Sequence, residues 1–247
     1  MSDLLGDRMR EYENAYRHYL PKRLPILLRL DGCHFHTLTK YLGKPWDLPF
    51  SEAMWKTTAT LCDTLATCKL GYQQSDEITL LLINYTKLNT EPLYNNGLQK
   101  LVSTTAALAS ARFNELIHQV YPRLPLATFD CRAWILPKEE VNNAFVWRQQ
   151  DARRNSVNAL AQHYISHHEL QGLNVDACIT KLQEMGVDYG KLPTWQRRGM
   201  CVVGEKYTRN GATRQRWIHD LEIPVFSQDH DYVDHYVTWD SESELGE

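Results

Sequence analysis

Two strings forty-five residues apart constrain this chain more than anything else in it. The first, Arg29-Leu30-Asp31-Gly32-Cys33-His34-Phe35-His36, closes the largely apolar run Leu24 to Leu30. The second, Gly71-Tyr72-Gln73-Gln74-Ser75-Asp76-Glu77, opens into Ile78-Thr79-Leu80-Leu81-Leu82-Ile83. Both runs are too short for a typical helix and read as buried strands. Each leaves a carboxylate where a strand meets a turn.

The elements around these strings can be laid out in order. Asp3 to Tyr19 carries Leu5, Met9, Tyr12, Tyr16 and Tyr19 at helical spacing and stops before Pro21. Leu24 to Asp31 is a strand ended by Gly32, and Ser51 opens a helix to about Thr67. Leu70–Gln74 and Glu77–Ile83 read as a hairpin around Ser75-Asp76. Asn84 to Gly97 is loop-like, Leu98 to Val120 a long Ala-rich helix, and Thr128 to Leu136 a strand closed by Pro137. The order β-α-β-β-α-β is the split ferredoxin-like arrangement, in which the first strand and the hairpin end side by side. It brings Asp31 close to Asp76 and Glu77. The expected class is therefore α+β, with an antiparallel, polymerase-type palm sheet.

Beyond the palm the signal weakens. Glu139 to Tyr164 reads as a helix on which Arg148, Asp151, Asn155, Asn158 and Gln162 share one face, while Val141, Phe145, Ala152 and Ala159 lie elsewhere. An amide-rich stripe of this kind points toward binding, although most polar stripes are merely solvated. A short helix near Val175 to Met185, a Lys191 to Gly199 loop and a hairpin around Asn210-Gly211 complete a C-terminal extension. Residues 1–165 are taken as the catalytic palm and 166–247 as an extension packed on it and contributing to RNA binding.

A net charge of −3 argues against a polyanion partner until it is divided along the chain. Residues 132–216 hold 13 Lys/Arg against 8 Asp/Glu, whereas nine acids and no Lys or Arg follow Arg216. The basic middle can meet nucleic acid while the acidic end lowers the total. Six cysteines are scattered without a C-x-x-C pair, which argues against a disulfide framework or a zinc knuckle. No run approaches the roughly 18 apolar residues of a membrane span. With no basic leader before an apolar core, a cytoplasmic protein is expected.

Asp31 and Asp76 are hard oxygen ligands, suited to two Mg²⁺ ions around a triphosphate, which is the chemistry of nucleotidyl transfer. Gly32 permits a tight turn after the strand, and the backbone N–H groups of residues 33–36 can then cradle phosphate oxygens. Arg132 offers a bidentate fork to a triphosphate and Lys44 a point charge. His163 and His167 are four apart, but Glu169 is spaced off their face, so a metal site there is not expected. Cys33 has no assigned base and reads as packing.

These residues carry a resemblance. The chain resembles the tRNA-His guanylyltransferase superfamily of 3′-to-5′ nucleotidyltransferases, and most of all its guanylyltransferase-like branch. The likeness rests on Gly6-Asp7-Arg8-Met9, Arg29-Leu30-Asp31-Gly32 with Phe35-His36, Lys44-Pro45 with Asp47, Gln74-Ser75-Asp76-Glu77 and Asp130-Cys131-Arg132. It continues more loosely through Leu192 to Gly199. It implies metals held by Asp31, Asp76 and the Gly32 carbonyl, with Glu77 needed nearby. It implies nucleotide contacts from Phe35, His36, Lys44, Asp47, Ser75, Arg132 and Asn158, and a homotetramer. Substrates would be tRNA, ATP, GTP and other NTPs. RNA contacts are assigned to Arg148, Arg153, Arg154, Asn155, Arg197 and Arg198.

The eukaryotic members carry H-I-N-N-L-Y-N where this chain reads Ala152-Arg153-Arg154-Asn155-Ser156-Val157-Asn158. In the family that segment is tied to tRNA-His selection. The missing histidine favours template-dependent repair of 5′-truncated tRNA over obligatory addition of one G. A palm-type nucleotide cyclase would share the acids and need no RNA, and a silent tRNA-binding protein would need neither Asp31 nor Asp76.

Overall fold

A six-stranded antiparallel sheet organises the computed structural model, which describes residues 4–87, 89–237 and 239. Its strands are β1 (Ile26–Gly32), β2 (Cys68–Gln74), β3 (Glu77–Leu82), β4 (Phe129–Ile135), β5 (Met200–Arg209) and β6 (Ala212–Asp220). Across the sheet the order is β4-β1-β3-β2-β5-β6. The first four positions are those of the βαββαβ pattern, and the chain is α+β as expected.

Burial on both faces explains the uninterrupted apolar runs of β1 and β3. One face presents Leu28, Leu30, Ile78 and Leu80 to α3 (Leu48–Thr64) and α4 (Leu98–Ile117), where Met54, Leu61 and Phe113 complete the core. The other presents Leu27, Tyr72 and Leu81 to Phe145 of α5 (Val141–Tyr164) and to Phe226 and Val233 of the C-terminal segment. Gln149 of α5 fastens that segment. It donates to the Pro224 carbonyl and accepts from the Phe226 N–H, both at 2.9 Å.

Several boundaries differ from the sequence reading. The helix expected from Ser51 begins at Leu48, because Asp47 Oδ1 accepts the Phe50 N–H at 2.9 Å and Pro49 occupies the first turn. The N-terminal helix α1 (Leu4–Asn14) is shorter than expected and buries none of its residues. The stretch read as a loop before Gly199 contains α8 (Thr194–Arg198).

The C-terminal hairpin does more than pack on the palm. β5 pairs with β2 from Leu70↔Val203 to Gln73↔Met200, so the sheet continues through residues 200–220. Its turn is Asn210-Gly211, both at positive φ, as a two-residue hairpin loop requires. Gly199 fixes the approach. At φ +81° a Cβ there would lie 2.5 Å from the Gln73 carbonyl oxygen, and the Tyr72 hydroxyl donates to the Arg198 carbonyl at 2.7 Å. Among the described residues no helix is long and apolar enough to cross a membrane.

Candidate active site

β1 lies between β3 and β4, with Asp31 opposite Glu77 on one side and Asp130 on the other. The Ser75-Asp76 turn joins β2 to β3 at the same end of the sheet. Ser75 takes a left-handed φ of +51°, and Gln73 Nε2 pins the turn by donating to the Ser75 carbonyl at 2.7 Å. Asp31, Asp76 and Glu77 therefore meet where the sequence placed them. Burial pushes the Asp76 carboxyl above its ordinary value, and the Asp31 charge pushes it further. Two like charges held together in this way could share a divalent cation. Among the described residues no three His, Cys, Asp or Glu side chains converge as a metal cluster.

Glu77 is engaged differently. Arg148 Nε donates to its Oε1 at 2.7 Å, and Arg29 Nε stands 3.9 Å from its Oε2. Burial raises the Glu77 carboxyl while Arg148 and then Arg29 pull it back. Its oxygens face cations of the protein rather than the acid pair.

Gly32 is required by close approach: a Cβ there would collide with the Phe35 ring. That ring is buried against Phe50, Phe113 and Phe129. The Phe35 side chain thus belongs to the core, at the start of α2 (Phe35–Leu38), while His36 is exposed. The proposed phosphate cradle loses one member, because the Cys33 N–H already bonds the Thr128 carbonyl at 2.8 Å.

Beside the turn lies a cleft of about 210 Å³. Lys44 and Asp47 line it from the loop before α3, Ser75 from the hairpin, and Ala152 and Asn155 from α5. Trp46, Trp55 and Trp195 give it flat apolar walls, and Trp55 meets Trp195 edge-on with centroids 5.2 Å apart. Asp47 holds the loop that frames it. Besides capping α3, its Oδ2 accepts the Gly43 N–H at 2.9 Å and the Tyr121 hydroxyl at 2.7 Å. Asp31 and Asp76 are outside the cleft lining, Asp76 one residue from its Ser75 edge.

The remaining candidates separate. Arg132 is exposed on β4, 3.7 Å from Asp130. Arg153 pairs with Asp176 at 2.9 Å and Arg154 with Asp151, both at the surface, where Asn155 and Asn158 are also exposed. Arg197 and Arg198 are half-buried. Arg148 is a correction. Only 4% of its side chain is exposed, and it bridges Glu77 and Asp151, so it offers no surface to RNA. Its place on a polar stripe concealed that the stripe borders the core at Phe145 and Ala152.

A family model for tRNAHis guanylyltransferase (Thg1) matches residues 6–137, more than half of the chain. The chain belongs to the tRNAHis guanylyltransferase family. Like the family, it is a nucleotidyltransferase. A bacterial tRNA(His) guanylyltransferase (Thg1)-like protein solved in complex with ATP is 46% identical, with a TM-score of 0.90 over 95% of this chain and 99% of its own. A bacterial Thg1-like protein in complex with GTP is 44% identical, with a TM-score of 0.82 over the same shares. An uncharacterized protein, R259, of Acanthamoeba polyphaga mimivirus is 29% identical over 229 residues, covering 82% of this chain and 77% of that protein.

Sequence reasoning passed over the aromatic cleft walls and Arg29 as a partner of Glu77. A signal for Arg29 was present, since strand residues i and i+2 share a face and Arg29 stands two before Asp31. The cleft gave no such signal, because Trp46, Trp55 and Trp195 meet only in three dimensions.

Proposed function

We propose that this chain adds nucleotides in the 3′-to-5′ direction to the 5′ end of tRNA, choosing each by pairing with the opposite strand. One observation carries this reading: the paired carboxylates Asp31 and Asp76 stand at the palm-strand ends, directly beside a cleft with aromatic walls. In the first step an oxygen of the RNA 5′-monophosphate attacks the α-phosphorus of ATP, forming a 5′-adenylylated end and releasing pyrophosphate. In the second, the 3′-hydroxyl of an incoming NTP attacks the RNA 5′-phosphorus and releases AMP. Bound Mg²⁺, held by Asp31, Asp76 and the Gly32 carbonyl, would supply charge neutralisation around the phosphates.

The chain's own residues orient the reactants. Lys44, Ser75 and the amides of His34 to His36 meet phosphate oxygens, and Arg132 clamps the triphosphate from β4. Asn158 adds an amide to the nucleotide. Arg153, Arg154, Asn155, Arg197 and Arg198 hold the RNA backbone. The small residues Ala152, Ser156 and Ala159 along the α5 wall leave the cleft open to any base of the right shape, which supports addition to tRNAs of many identities. The bound ATP and GTP in the similar bacterial proteins are consistent with this use of the cleft. A homotetramer in the cytoplasm completes the reading. It is supported by the exposed apolar residues of α1, Leu4 at 79%, Leu5 at 60% and Tyr12 at 66%, which assembly would cover.

The test is incubation with 5′-truncated, 5′-phosphorylated tRNAs of several identities, ATP, all NTPs and Mg²⁺. Complementary addition across identities is expected. Strong selection for tRNA-His, or addition of G whatever the opposing base, would overturn template-dependent repair.

A further inference from the structure

One large aromatic on the α5 face of the sheet is left open beside the acids. Trp147 is 50% exposed, although its neighbours Arg148 and Gln149 are buried. Its ring is backed by cations: the Arg148 guanidinium lies 4.2 Å from the ring centroid and that of Arg29 5.9 Å. Arg148 is fixed there by its pairs to Glu77 and Asp151, so it cannot follow the ring outward. Arg29 stands two residues from Asp31 on the same face of β1 and directly opposite Arg132 in the strand register. Arg132 is 60% exposed on the edge strand. The arrangement is an exposed π surface backed by two guanidinium groups, of which Arg29 stands roughly 7 Å along β1 from the Asp31 carboxylate. That is the composition of a single-strand stacking platform, where an aromatic takes a base and an adjacent cation takes its phosphate.

We infer that Trp147 stacks on the 5′-terminal nucleobase of the RNA strand being extended. The inference rests on the polymerase reading above and names the RNA contact of that same site. A stacked base there would fix the position of the 5′-phosphate relative to Asp31 and Asp76. Stacking does not depend on base identity, which suits an end open to any nucleotide.

The test is a cycle between the ring and the base. Binding of a 5′-phosphorylated acceptor-stem duplex, and of the same duplex with an abasic 5′-terminal nucleotide, is measured for the full chain, Trp147→Ala and Trp147→Phe. The wild-type chain should prefer the intact duplex by about tenfold, the size of one aromatic–base stack. Trp147→Ala should bind the intact duplex about tenfold more weakly and lose the preference, while Trp147→Phe keeps most of it. The affinity for a free NTP and the oligomeric state should not move. Trp147→Ala that binds as wild type, that still discriminates the abasic end, or that changes the oligomeric state would overturn the inference. Wild-type chain that extends RNA without discriminating the abasic end would overturn this inference alone. Failure of wild-type chain to bind RNA would overturn the polymerase reading, and this inference with it.

Discussion

Arg148 and Glu77 form a buried hydrogen-bonded ion pair, Nε to Oε1 at 2.7 Å, between the first half of α5 and the first residue of β3. The same guanidinium reaches Asp151 at 2.5 Å, and Asp151 is in turn paired with Arg154. A chain of charges therefore runs from the hairpin beneath the acids to the surface of α5. Because Glu77 adjoins Asp76, this chain sets where the turn lies against the helix.

Arg148→Ala should destabilise the protein by about 3–5 kcal/mol, since it leaves the Glu77 carboxylate buried without its principal partner. Replacing both, with Arg148→Met and Glu77→Leu, should recover much of that loss. Urea unfolding of the single and double variants checks it, and a single variant within about 1 kcal/mol of wild type would show that Glu77 is not held by this pair.

Asp76→Asn should abolish nucleotide addition and yet raise the melting temperature at neutral pH without divalent cations. Burial and Asp31 raise the folded-state value of Asp76. The protonated acid is thus favoured by folding, a contribution complete below the unfolded value of 3.8 and lost as pH rises through the folded value. The advantage of Asn should therefore grow from acid to neutral pH, at roughly 2–4 °C for each kcal/mol relieved. Mg²⁺ should stabilise wild type and not the variant. Calorimetry showing no Mg²⁺-dependent difference between them would remove Asp76 from the metal set, and Asp31→Ala should be equally inactive.

Arginines on the two sides of the site should separate kinetically. Arg132→Ala should raise KM for the NTP or lower kcat severalfold. Arg153→Ala with Arg154→Ala should instead weaken tRNA binding and flatten its salt dependence, because each lost phosphate contact removes released counterions. Fluorescence anisotropy across a salt series distinguishes them. An unchanged slope in the double variant would place these arginines away from RNA.

Gly32→Ala should cost about 1–3 kcal/mol through overpacking, since the new methyl meets the Phe35 ring within the cluster of Phe50, Phe113 and Phe129. Adding Phe35→Leu should return part of the stability. Thermal melts of the two variants test this, and a neutral Gly32→Ala would mean the turn relaxes freely.

The palm was legible because β1 and β3 are buried on both faces, so their apolar runs stand out, and because the strand order placed Asp31, Asp76 and Glu77 at one end. Arg148 was misread for a physical reason. Periodicity reports which residues share a helix face but not whether that face is solvated or sealed by a carboxylate from another element. The cap at Asp47 was missed because Leu48 and Pro49 look like loop until the Phe50 N–H is seen to bond the aspartate. Pairing of the C-terminal hairpin with β2 had no sequence signal, since alternation marks a strand without naming its neighbour.

That pairing limits how the molecule can be divided. The match to the family model ends at residue 137, and a designer trimming the chain toward that segment would cut before β5. Such a fragment would bare one whole side of β2, where Leu70 and Tyr72 are fully buried in the intact chain. It would carry an unpaired row of backbone donors and acceptors beside exposed apolar side chains, the template on which chains add to one another. Such a fragment should aggregate, which makes the hairpin and the palm one folding unit.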